Sequence, residues 1–120
     1  MGMTDCLFCK IVAGDVPATV VADAEEVLAF RDIDPKAPQH ILVIPKRHYD
    51  TAFDMARDDP RLAGELLREA GEIAVAQEFA DAGYRLLFNT GPDSGQEVMH
   101  AHLHILAGRP LGPMLTEPQE

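Results

Sequence analysis

Apolar positions along the chain change period several times, and each change marks an element. In "TDCLFCKIVAG" the apolar residues Leu7, Phe8, Ile11 and Val12 recur at helical rather than alternating spacing, with Asp5 placed to cap the start and Gly14 to stop the end. A short helix is predicted there. Two strand-like runs follow, "TVVAD" and "VLAFRD", separated by the acidic turn "AEE", and they predict a hairpin. "DIDPKAPQH" is turn-rich, because each proline biases its predecessor away from helix, so the chain is expected to cross an end of the sheet. "ILVIPK" is apolar on both faces, as a central strand under a helix requires. Pro45 should close it, since proline brings no N–H to the ladder.

The second half begins with "RDDPRLAGELLREAGEIAVAQEFADAG", which predicts the main helix. Asp59 is a good N-cap with Pro60 at the first helical position; Leu62, Leu66, Ala70 and Ile73 share one face, and Gly83 lies where the helix can stop. "YRLLFN" reads as a fourth strand, "TGPDSGQEVM" as a glycine-containing loop, and "HAHLHILAG" as a fifth strand. A body over residues 1–109 and a Pro/Gly-rich tail over 110–120 are therefore expected.

Composition narrows the setting. The chain has 120 residues, enough for one domain with a real core. It contains no apolar run near the roughly 20 residues needed to span a bilayer, and "MGMTDCLFCK" lacks the pattern of a secretory signal. A cytoplasmic protein is the expectation. A formal charge of −10 argues against broad binding to nucleic-acid backbones, whereas a small anionic ligand needs only a few local donors.

Both cysteines lie in "CLFC". A disulfide across so short a loop constrains little, and a thioredoxin-type pair wants a preceding strand that cannot fit before Cys6. Half of a zinc site is the better reading, with inert thiols as the alternative. Of five histidines, three stand at every second position, and strand alternation sends His100, His102 and His104 to one face. A solvated polar face is the simplest reading. A shared metal is a second, although the outer pair would be about 13 Å apart in an extended strand, so at most two neighbours fit one ion. Covalent catalysis is a third: a neutral imidazole is a competent nucleophile toward phosphorus, and "GPDSGQEV" just upstream can turn backbone N–H groups toward an oxyanion.

"HAHLHIL" behind "NTGPDSGQEVM" resembles the signature of the histidine triad (HIT) superfamily. "CLFCKIVAGDVPA", "VLAFRDIDPKAPQHILVIPKRH" and "GYRLLFNTG" are similar, in order, to its Hint branch of adenosine 5′-monophosphoramidase-like proteins, and the likeness covers Cys6 to Arg109. The resemblance implies an α+β fold: a five-stranded antiparallel sheet with one long helix and a short N-terminal helix, pairing edge to edge as a homodimer. It implies a hydrolase of purine nucleoside phosphoramidates or aminoacyl adenylates that acts at the α-phosphorus, with no organic cofactor.

Residue by residue, the resemblance makes His102 the nucleophile of a nucleotidyl-histidine intermediate and gives His104 to the phosphate. Asn89, Gly95, Gln96, Glu97 and Val98 fall at phosphate-loop positions, Asp32 at the ribose, and Phe8, Ile11, Phe30 and Ile33 at the base, while His40 falls at a further histidine near the triad. Bacterial-type members that carry zinc imply a closed structural Cys₂His₂ site of Cys6, Cys9, His48 and His100. Glu97 stands where many members have serine; an ionised carboxylate accepts but cannot donate, which bears on the leaving amine. Two other functions compete with this reading: a dinucleoside polyphosphate hydrolase of the fragile-histidine-triad branch, and a nucleotide-binding regulatory module with little turnover.

Overall fold

The computed structural model describes residues 5–115; the last five residues of the expected tail lie outside the described residues. The elements run α1 (Leu7–Ala13), β1 (Val20–Asp23), β2 (Val27–Arg31), β3 (Gln39–Pro45), α2 (Ala52–Asp58), α3 (Pro60–Ala76), β4 (Tyr84–Phe88) and β5 (Leu103–Ala107). The strands form one sheet in the order β1-β2-β3-β5-β4, and every neighbouring pair is antiparallel. β3 is central and ends at Pro45, as its two-sided apolar pattern predicts.

Alternation divides the sheet into two faces. Val27 and Ala29 of β2, Ile41 and Val43 of β3, and Leu103, Ile105 and Ala107 of β5 pack with Met55 of α2 and Leu62, Leu66, Ala70 and Ile73 of α3. The intervening residues Leu28, Phe30, Leu42 and Ile44 pack instead with Phe8 of α1. β2 and β3 thus serve the main core with one set of side chains and a smaller cluster with the other. Among the described residues no helix is long and apolar enough to cross a membrane.

Four local expectations are corrected. Cys6, not Asp5, caps α1, its thiol accepting from the Cys9 N–H at 3.3 Å, while Gly14 closes the helix in the left-handed region as anticipated. A separate helix, α2, precedes the long one; Thr51 caps it by accepting from Asp54 N–H. Asp59 both closes α2 and caps α3, its carboxylate accepting from Leu62 N–H, so the chain turns between two helices on a single residue. α3 stops at Ala76 rather than near Gly83: Glu78 takes a φ of 67°, which lets the Phe79 N–H reach Ala74 O and buries the Phe79 ring in the core. Finally, β5 begins at Leu103, so His100 to His102 are not part of the ladder; this segment is tied to the chain after β3 by the Ala101 N–H to Tyr49 O bond of 2.7 Å.

Gly108, just past β5, has φ +104°, and a Cβ there would lie 2.7 Å from the Pro38 Cβ at the entrance to β3. Gly83 has φ +109° but open space around it. Gly83→Ala should therefore cost only the backbone term, about 1 kcal/mol, and Gly108→Ala about 2–3 kcal/mol through added overlap. Urea unfolding should show a larger loss of midpoint for Gly108→Ala at unchanged slope.

Candidate active site and metal centre

The face of the sheet opposite α2 and α3 carries a cavity of about 880 Å³. Its floor is a row across four strands, set by the pairings Phe30 with Leu42, Leu42 with His104, and His104 with Leu87. Phe8 and Ile11 of α1 form one wall, Asn89, Gly95, Glu97 and Val98 another, and Asp32, Ile33, Asp34 and Lys36 the lip. His40, His102 and His104 all line the same space.

Hydrogen bonds assign the protons on these rings. The Lys36 N–H donates to His40 Nδ1 at 3.0 Å, so the His40 proton sits on Nε2. That Nε2 is 2.9 Å from His104 Nδ1 and 3.5 Å from an Asp32 carboxylate oxygen. His104 Nδ1 therefore accepts and its own proton is on Nε2, a buried atom with no partner among the described residues. His102 Nδ1 lies 2.7 Å from the His100 carbonyl oxygen and must donate to it, which leaves a bare lone pair on His102 Nε2. A lone pair and an N–H donor thus sit on adjacent rings, 4.9 Å between centroids, in one cavity. The arrangement suits attack on an electrophile whose oxyanion the neighbouring ring can hold.

Burial keeps the rings neutral. It holds His102 below the usual imidazole range and pushes His104 down to about 4, with further lowering from His102 and His40. His40 is also lowered by burial, against the opposing pull of Asp32.

The loop between β4 and the histidine segment turns through Gly91 (φ 85°) and Gly95 (φ 86°) around a 3-10 turn at Pro92–Ser94. The Gln96 side chain turns away from the cavity. Buried, it accepts from Gly91 N–H at 3.0 Å and donates to Asp50 O at 2.8 Å and Val98 O at 3.1 Å, bracing the loop from behind. Ile33 borders the cavity at its lip and is 99% exposed. The sequence reading missed Leu42, Leu87, Leu106 and Lys36 as lining residues. Leu106 shares the parity of His102 and His104, so alternation alone contained that signal.

The four residues of the expected zinc site come together, their ligand atoms all within 4.8 Å of one another. Cys6 Sγ is 3.3 Å from His100 Nδ1, and Cys9 Sγ is 3.3 Å from His48 Nδ1 and 3.5 Å from His100 Nδ1. Such separations approach the edge of about 3.5 Å that metal bonds of about 2.0–2.3 Å give a tetrahedron. The far side of each ring strengthens the fit. His100 Nε2–H donates to Pro45 O at 2.8 Å and His48 Nε2–H to an Asp50 carboxylate oxygen at 2.8 Å, so both Nδ1 lone pairs face the thiols. Burial, then Cys6, pushes the Cys9 thiol up to about 11, so a cation is what would favour the thiolate form. The cluster can hold a metal ion. Asp32, His40 and His104 also bring three donor atoms together, but the hydrogen-bond chain above already accounts for their contacts.

Comparisons agree with this architecture. A family model described as the HIT domain matches residues 13–111. The chain is 43% identical over 112 residues to the purine nucleoside phosphoramidase of Escherichia coli K12, covering 93% of this chain and 94% of that protein. It is 43% identical over 104 residues to Protein HitA of Neisseria gonorrhoeae, covering 87% and 96%. Among solved structures, a histidine triad protein from Clostridium difficile superposes with a TM-score of 0.91 at 43% identity, covering 96% of this chain and all of that one. A HIT family hydrolase from Legionella pneumophila gives 0.86 at 49% identity, with 90% and 96% covered.

The depressed His104 pKa has a stability consequence. The unfolded chain, with an ordinary imidazole near 6.5, takes up its proton before the folded chain does. The contribution of His104 is therefore complete above pH 6.5 and is lost as pH falls through about 4. Urea unfolding at pH 7.5 and pH 5 should show a loss of stability at the lower pH that is smaller in His104→Gln.

Proposed function

Because the chain belongs to the HIT family, we propose that it hydrolyses purine nucleoside phosphoramidates and aminoacyl adenylates at the α-phosphorus. It is a homologue of purine nucleoside phosphoramidase and a HIT-family nucleotide hydrolase. The observation that carries the reading is the pairing of a bare His102 Nε2 with an unpartnered, proton-bearing His104 Nε2 in one cavity. The first supplies the nucleophile, the second a donor to the phosphoryl oxygen.

In this mechanism the base lies against Phe8, Ile11 and Phe30, and the ribose hydroxyls donate to Asp32. The backbone N–H groups of Glu97 and Val98 face the phosphate; those of Gly95 and Gln96 close the loop onto Pro92 O and Gly91 O, and the Gln96 side chain holds the stretch from behind. His102 Nε2 attacks phosphorus as the bond to the leaving group breaks: the P–N bond of a phosphoramidate, whose amine takes a proton from solvent at the open mouth, or the P–O bond of an aminoacyl adenylate, whose amino acid leaves as the carboxylate. The Nδ1–H bond to His100 O steadies the cation that forms on the ring. Water then attacks the nucleotidyl-histidine; its oxygen bonds to phosphorus, its proton departs, the P–N bond to His102 breaks, and a nucleoside monophosphate is released. Asn89 borders the phosphate, and His40 fixes the His104 tautomer through their shared hydrogen bond.

Cys6, Cys9, His48 and His100 would hold a structural zinc, since four protein ligands leave no open position for chemistry. A homodimer in the cytoplasm completes the reading. β4 is an edge strand, and Leu67 and Val75 are exposed one helical turn either side of Gly71, where α3 meets Tyr84 of that strand. An apolar stripe beside an open edge suits a second copy of the chain.

His102→Asn should lower single-turnover rates on adenosine phosphoramidate by on the order of a thousandfold or more while AMP still binds. Mass spectrometry of wild-type protein quenched during turnover should find the nucleotidyl adduct on His102; an adduct on another histidine, or faster turnover of a diadenosine polyphosphate, would reject the reading. Sedimentation should give a dimer that Leu67→Glu with Val75→Glu converts to monomer.

A further inference from the structure

Resting on the nucleotide reading above, we propose that the Cys/His cluster is a regulatory site: a zinc-class cation bound there raises the affinity of the neighbouring cavity for nucleotide, with Phe8 as the positioning residue between them. α1 belongs to both sites. Cys6 and Cys9, three residues apart, face the cluster, and Phe8 and Ile11, also three apart, face the cavity. At seven residues the helix is too short to persist alone, so its position depends on what anchors it.

Phe8 is 5% exposed, and its ring meets three others edge to face: His100 at 6.0 Å, His102 at 5.1 Å and Phe30 at 5.4 Å. One side chain therefore touches a cluster ligand, the proposed nucleophile and the base wall. A second link runs through the backbone, where the carbonyl of His100 accepts from His102 Nδ1–H. Without a cation, α1 is anchored at the cluster by thiol–imidazole hydrogen bonds, and a thiol is a weak donor. A cation replaces these with coordinate bonds and favours the seated helix. A base that lies on Phe8 and Ile11 also favours the seated helix, so the two ligands bias one equilibrium in the same direction.

Linkage makes the proposal testable from both ends. AMP binding to the full chain would be followed by calorimetry, zinc-loaded and after chelation, with far-UV circular dichroism recorded on both forms. Removal of zinc should weaken AMP binding about tenfold, within the 5–150-fold span usual for coupled sites, and hydrogen exchange over residues 7–13 should quicken. In a chelator competition begun from loaded protein, saturating AMP should tighten zinc by the same factor, a measurement that holds even where the stripped chain loses structure. Phe8→Leu should keep one zinc per chain yet bring both factors toward one. Equal AMP affinity with and without zinc, or equal zinc affinity with and without AMP, overturns the coupling and leaves the hydrolase reading intact. AMP bound by neither form overturns the nucleotide reading itself, and this inference with it.

Discussion

The constraint on which the molecule depends is the period of two in its central strands. Leu103, Ile105 and Ala107 must meet the helices, because they complete the core built by Leu62, Leu66, Ala70 and Ile73. Their alternation partners, His104 and Leu106, then have no choice but the opposite face. The same parity in β2 and β3 delivers Phe30 and Leu42 beside His104. A slip of one residue would place imidazoles in the main core and leucines in the cavity, so the burial that stabilises the fold also fixes the register of the site.

Within that frame, desolvation decides the chemistry of the rings. The cavity face holds Asp32, whose charge pulls His40, His102 and His104 toward the protonated form. For all three the net direction is nevertheless down, and burial is the largest cause. Removal from water thus outweighs a nearby carboxylate in a chain whose formal charge is −10. Net charge would suggest protonated imidazoles; local burial gives neutral ones, with a lone pair on one and a donor on the next.

Much of this was legible in the sequence, because periodicity reports which face a residue occupies. The five strands, α1, the start of α3 and the common cavity of His102 and His104 followed from spacing, whereas His100, expected on the same face, turns to the thiols; the resemblance supplied the four residues that meet in the Cys/His cluster. What was hidden depends on tertiary partners. Glu78 ends α3 by adopting a backbone angle that glycine usually supplies, and the buried Phe79 is what holds it there. Gln96 sits in a stretch whose neighbours border the cavity, but its amide finds Gly91, Asp50 and Val98 instead, and no local pattern distinguishes those outcomes. Ile33 falls at the base by the resemblance, and by apolar character alone would read as core; the turn that carries it leaves it in solvent at the cavity lip. The Thr51 cap, by contrast, stood in plain view with Asp54 three residues on, and was overshadowed by the stronger signal at Asp59.

The three imidazoles of the triad show how far environment separates identical side chains. His100 is fully buried with Nε2 bound to Pro45 O and Nδ1 between two thiols, so neither nitrogen is left for the cavity. His102, two residues on, spends one nitrogen on the His100 carbonyl and keeps the other. His104, inside the ladder, has its tautomer set from Lys36 through His40 and ends with a donor that no protein atom satisfies among the described residues. The difference arises at the start of β5: His100 lies before the strand, where the chain bends toward α1, and His104 lies within it, over the sheet. A longer strand would have turned all three rings to the same face. By ending its ladder at Leu103, the chain places one imidazole among thiols and two above a cavity without changing residue type.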